Sequence, residues 1–128
     1  RQPERAWALY QDMLTRGVIP DAVFYRDLIR TQRQSADDAT LNQLVDKAIE
    51  VGARMAPTMN AASCQRLLRV LSERPASALH AWRAMLQAKL PLDREVFEVA
   101  SQIIGQTGDS QARAELQAAA RDYFKEEL

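Results

Sequence analysis

The fold class predicted for this chain is all-α: an α-solenoid of stacked antiparallel helical hairpins, with about seven helices in about 3.5 repeats. Three observations predict it. Ala, Leu, Gln, Arg and Glu dominate while Gly, Pro and β-branched residues are sparse, a helix-forming composition that leaves few places for strands. Apolar residues return at steps of three and four, as amphipathic helices require. The helical runs are cut by Gly, Pro and Asp breaks at a spacing near 35 residues: Gly17 recurs as Gly52, and Ala6 to Leu14 (AWALYQDML) aligns with Ala78 to Leu86 (ALHAWRAML) at twice that step plus two. Asp21 falls on Asp93 in the same register. One hairpin cannot bury its own apolar face, so repeated hairpins stack and cover one another.

The elements follow in order. A first helix is expected from Pro3 to Arg16, with Ala6, Leu9, Tyr10 and Met13 on one face and Gly17 as a left-handed stop. Asp21 caps a second helix carrying Phe24, Tyr25, Leu28 and Ile29, which ends in the polar run Thr31 to Ser35. Asp37 or Asp38 opens a third, with Leu41, Leu44, Val45 and Ala48 inward and Gly52 closing it at the place of Gly17. Pro57 and Thr58 open the fourth, whose apolar residues are Leu67, Leu68, Val70 and Leu71. Pro75 starts the fifth, with Ala78, Ala81, Trp82, Met85 and Leu86. The sixth runs through Val96, Phe97, Ala100 and Ile104 to a stop between Gly105 and Gly108, and the seventh holds Ala112, Leu116, Ala119, Ala120, Tyr123 and Phe124.

Charge limits the functional classes. With 17 Lys plus Arg against 17 Asp plus Glu, the formal net charge is zero, so any nucleic-acid binding has to rest on a local patch. The single cysteine, Cys64, excludes an internal disulfide framework and reads as a small buried apolar residue. No apolar run approaches the roughly 20 residues of a membrane-spanning helix, so no membrane insertion is expected. The start at Arg1 is not a secretory signal. Pro3 followed at once by an amphipathic run suggests an edge within a longer protein.

The residues A-x-x-L-Y-x-D-M-x-x-x-G-V-x-P-D, from Ala6 to Asp21, followed by F-Y-x-x-L-I from Phe24 to Ile29, closely resemble the pentatricopeptide-repeat signature. In the next unit Ser63 to Leu68, and in the last Val96 to Glu98, stand at the corresponding helix start. The resemblance divides residues 1–128 into a single helical-repeat domain with a half repeat at 1–21 and repeats at about 22–60, 61–93 and 94–128. The connection from Gly52 to Pro57 is longer than the family's step, the turn at Pro75 is shorter, and the last helix lacks the closing Gly-x-x-Pro-Asp. A tetratricopeptide array has a similar period, but its Trp-x-x-Leu-Gly-x-x-Tyr pattern is absent.

The resemblance implies a right-handed solenoid whose first helices line a groove. Bases of single-stranded RNA are read there, one per repeat, by a residue on the first helix and the last residue of the repeat. Carried onto this chain, the pairs are Arg26 with Asn60 and Gln65 with Asp93, while Glu98 has no assignable partner. None is a pair that the family's base code prefers. The resemblance also implies a mitochondrial or other organellar protein acting in RNA metabolism or translation, with the mitochondrial ribosome as one setting. Other protein subunits are expected partners.

The residues themselves add a basic stripe. Arg26, Arg30 and Arg33 lie three and four residues apart on one helix, and Arg66 and Arg69 extend the set to the next unit, which suits phosphates of a single strand. The alternative is that these arginines are solvated or paired with Asp27 and acidic neighbours, leaving a protein-protein scaffold. Trp7, Tyr10 and Trp82 recur at positions shared with Leu and Met, so packing rather than base stacking is expected of them, as it is of Tyr25 and Phe97. The one histidine, His80, has no serine and aspartate arrangement around it. Asp37 with Asp38 reads as a helix start, and Glu126 with Glu127 as a solvated tail. Neither Gly105 nor Gly108 belongs to a phosphate loop. No enzyme and no cofactor are therefore expected.

Overall fold

Side-chain caps begin most of the helices, and they do so with the residues the sequence offers. In the computed structural model, which describes residues 3–54 and 60–125, the elements are α1 (Pro3–Thr15), α2 (Ala22–Gln32), α3 (Asp38–Arg54), α4 (Ala61–Val70), α5 (Pro75–Gln87), α6 (Arg94–Gly105) and α7 (Ser110–Lys125). Asp21 accepts the Phe24 N–H at 2.8 Å, Asn60 that of Ser63 at 2.9 Å and Asp93 that of Val96 at 3.0 Å. Asp37 accepts from Thr40 at 2.8 Å and Asp109 from Ala112 at 3.0 Å. Each cap satisfies one of the donors that a helix start leaves free. Hydrogen bonds from the Thr40 side chain and backbone hold the Asp37 carboxyl below the usual carboxylate range. Pro75 occupies the first turn of α5, where its missing N–H costs nothing.

Among the described residues there is no strand, and the seven helices pack in two layers. Helix α2 lies on α4 and α4 on α6, while α3 lies on α5. The second layer is joined by side chains as well: Asp46 of α3 meets Nε2 of His80 on α5 at 2.8 Å, and Nε of Arg83 on α5 donates to Glu115 of α7 at 3.0 Å. Helix α1 packs on α2, and its Trp7 lines one cleft with Thr40 of α3. Between the layers Leu41, Val45, Leu67, Leu68, Leu71, Trp82, Met85 and Ile104 are fully buried. Cys64 is among the buried residues. Burial pushes its thiol up to about 11, and the Asp93 carboxylate pushes the same way.

The 72-residue correspondence is physical as well as textual. At the α1–α2 corner Tyr10 stands edge-on to Tyr25, with centroids 5.5 Å apart; at the α5–α6 corner Trp82 stands edge-on to Phe97 at 5.1 Å. Gly17 ends α1 at φ 74°, with its N–H on Leu14 and that of Val18 on Met13. Lys89 ends α5 at φ 55°, with its N–H on Leu86 and that of Leu90 on Met85. A side chain is strained there, and glycine is not. Lys89→Gly is therefore expected to stabilise the chain by about 0.5–1 kcal/mol, raising the thermal midpoint by about 2–5 °C in a circular-dichroism melt.

Two expectations change. Gly52 does not end α3: it is buried inside the last turn, and Ala53 and Arg54 continue the helix. The burial of Val51 and a 2.6 Å pair between Arg54 and Glu50 favour that extra turn over a glycine stop. Leu9 does not join the packed face of α1 but is 54% exposed, because Tyr10 and the half-buried Trp7, Ala6 and Met13 fill the side toward α2. Pro57 and Thr58, expected to open α4, lie outside the described residues, as do Glu126 and Glu127; the described helix begins at Ala61 with Asn60 as its cap.

Candidate nucleic-acid interface

Helices α2, α4 and α6 pack in succession, and the residues singled out from the sequence divide among them. Arg26 and Arg30 are on α2. Nη2 of Arg30 donates to Asp27 at 2.5 Å, and Nε of Arg26 comes within 3.9 Å of the same carboxylate. Two cations thus share one anion. Arg30 is largely open to water, whereas Arg26 is half-buried.

On α4, Arg66 is exposed and pairs with no described residue, while Arg69 belongs to a relay. With its amide oriented to satisfy both neighbours, Gln65 accepts from Nε and Nη2 of Arg69 at 3.2 and 2.9 Å and donates to Glu95 of α6 at 3.1 Å. The relay ties α4 to α6 and delivers the negative charge of Glu95 to the basic face. The exposed Glu98 adds a second carboxylate one turn further along α6.

Arg33 leaves the stripe. Its Nη1 donates to the Val70 carbonyl at the end of α4, 3.0 Å away. A residue that the sequence reading passed over completes the arrangement: Nη1 of Arg74 donates to the carbonyls of Arg33 and Ala36 at 2.6 and 2.8 Å, and its Nη2 to Asp38 at 2.5 Å. The two arginines clasp the α2–α3 and α4–α5 turns reciprocally. Position alone offered no signal for Arg74, since a charged residue before a helix-opening proline is ordinary surface composition. Asn60 and Asp93, the partners assigned to Arg26 and Gln65, spend one side-chain oxygen each on helix caps.

A cleft of about 680 Å³ beside the stripe is lined by Pro3, Asp27, Arg30, Thr31, Arg33, Gln34 and Ser35. It offers guanidinium, hydroxyl and amide donors with one carboxylate. The aromatic rings stand elsewhere: Trp82, Tyr10, Tyr25 and Phe97 are buried, and Trp7 is half-buried against the core. They are packing residues, so base stacking has no platform among them. His80 is half-buried and held by Asp46.

Among the described residues no helix is long and apolar enough to cross a membrane, and no group of three His, Cys, Asp or Glu residues could hold a metal ion. No protein-family model matches the chain, and a search of curated proteins finds no significant match.

Proposed function

We propose that the chain is a noncatalytic helical-repeat adaptor that holds single-stranded RNA, free or within a ribonucleoprotein, along the face formed by α2, α4 and α6. The observation that carries this reading is the charge imbalance on α2 and α4: Arg26, Arg30, Arg66 and Arg69 stand on the two helices with a single carboxylate, Asp27, and Arg66 pairs with no described residue. Arginine suits phosphate contact because its planar fork donates to two oxygens at once. The same geometry argues for holding rather than reading. Asn60 and Asp93 are engaged as caps, and Gln65 is engaged by Arg69 and Glu95. The pentatricopeptide resemblance supports a solenoid architecture and directs the reading to organellar RNA metabolism or translation, in the mitochondrion and at its ribosome.

The test is fluorescence anisotropy of the folded chain with a randomised single-stranded RNA pool, alongside a variant with Arg26, Arg30 and Arg69 changed to Glu. Micromolar or tighter binding is expected, weakening by about 20-fold between 50 and 200 mM salt if three phosphates are contacted. The variant is expected to lose binding while keeping its circular-dichroism spectrum. Absence of binding at low salt by the folded wild type would discard the RNA reading.

A different observation supports a protein scaffold. Leu14, Val18, Ile19 and Val23 leave large apolar side chains exposed between the end of α1 and the start of α2. Retained assembly into a larger complex by the triple-Glu variant, together with loss of assembly on Ile19→Lys, would favour that reading.

A further inference from the structure

We infer that α1 is a self-complementary contact surface through which two copies of this chain pair in antiparallel fashion. The internal repeat makes α1 the counterpart of α5, 72 residues on. Helix α5 packs on α3 through the face that aims His80 at Asp46. On that face stand Ser77 and Ala81, both fully buried, and the half-buried Ala84, small residues that let the two helices approach.

The counterparts on α1 are Arg5, Leu9 and Asp12. All three are exposed, Leu9 by 54%. Another helix packed as α3 packs on α5 would bury the Arg5 guanidinium, which has no described partner, and the exposed Asp12–Arg16 pair, which is costly. A head-to-tail joint made through α7 is disfavoured for a related reason. Helix α7 carries the exposed Gln117 and Arg121 where α3 carries the buried Val45 and Ile49.

A second α1, reversed, meets the requirement. Arg5, Leu9, Asp12 and Arg16 are spaced by four, three and four residues and form one stripe. A two-fold axis passing near Ala8 and Leu9 sets each Arg5 opposite the Asp12 of the other copy and brings the two Leu9 side chains together. Arg5 pairs with no described residue, and Asp12 holds Arg16 at 3.1 Å with half of its own side chain still open. Like the commonest oligomers, such a pair is closed and isologous. It needs neither the RNA-binding face nor any partner protein.

Sedimentation equilibrium over the micromolar to millimolar range tests this. The wild-type chain is expected to move from monomer to dimer and no further. Arg5→Asp and Asp12→Arg, each alone, set like charges opposite one another and are expected to weaken association about tenfold or more, while the double swap restores it. Both residues are exposed, so the fold survives, as circular dichroism would verify. Ile19→Lys is expected to leave the dimer intact. A wild type that stays monomeric, a double swap that fails to restore pairing, or a dimer broken by Ile19→Lys would each overturn the inference.

Discussion

Replacing Trp82 by alanine is expected to lower the unfolding free energy by about 3–5 kcal/mol, the largest effect of any single substitution proposed for this chain. Trp82 is 1% exposed and is the largest fully buried side chain. It sits on α5, which touches α3, α4 and α6, and its ring meets Phe97 edge-on. Removing it leaves a cavity that flanking helices cannot close without breaking their own contacts. For a chain whose total stability is of the order of 5–15 kcal/mol, that is a third or more. Urea unfolding followed by circular dichroism measures it as a fall in midpoint. Trp82→Phe is expected to cost less, about 1–3 kcal/mol, because the indole Nε1–H is buried without a partner among the described residues and its removal relieves that penalty. Equal losses in the two variants would show that packing volume at this site is not what stabilises the joint.

The second large effect is at Arg74. Arg74→Ala is expected to destabilise by about 2–3 kcal/mol, since three charge-assisted hydrogen bonds disappear at once and two turn carbonyls lose their donor. Arg74→Lys is expected to recover only part of this, because an ammonium cannot span the carbonyls of Arg33 and Ala36 and the Asp38 carboxylate as a planar fork does. Urea titration of the three proteins side by side decides it. Full rescue by lysine would mean that charge near Asp38, and not the fork, holds the turns.

Much of the fold was legible because helix starts and stops are local. Asp21, Asp37, Asp93 and Pro75 mark helix beginnings by chemistry confined to one turn, and the structure uses all four there. Gly17 likewise ends α1 in the left-handed region. Where neighbours decide, local reasoning fails. Gly52 looks like Gly17 in sequence, yet burial of Val51 and the Glu50–Arg54 pair carry α3 past it. Lys89 bears no glycine mark and still adopts the glycine conformation, because the turn is imposed by the flanking helices.

The candidate site was legible in charge but not in aim. Arg26, Arg30 and Arg33 share a helix face by spacing, but only the packing of α4 against α2 shows that Arg33 turns to Val70. Pairing with Asp27 was foreseeable at one-turn spacing, whereas the Glu95–Gln65–Arg69 relay depends on a contact between helices 30 residues apart in sequence. Arg74 had no local signature at all.

The aromatic corner has a consequence for how this chain could change length. Tyr10 with Tyr25 and Trp82 with Phe97 lie in hairpins two steps apart, and the described part of the one hairpin between them carries Cys64 where Phe97 stands in the last. Insertion or excision of a two-hairpin block would join like to like and keep the alternation of bulky and small corners. Loss of one hairpin would bring two ring pairs into neighbouring turns and leave their excess volume without a small-residue counterpart. The change of length that this corner pattern tolerates best is thus a step of two hairpins.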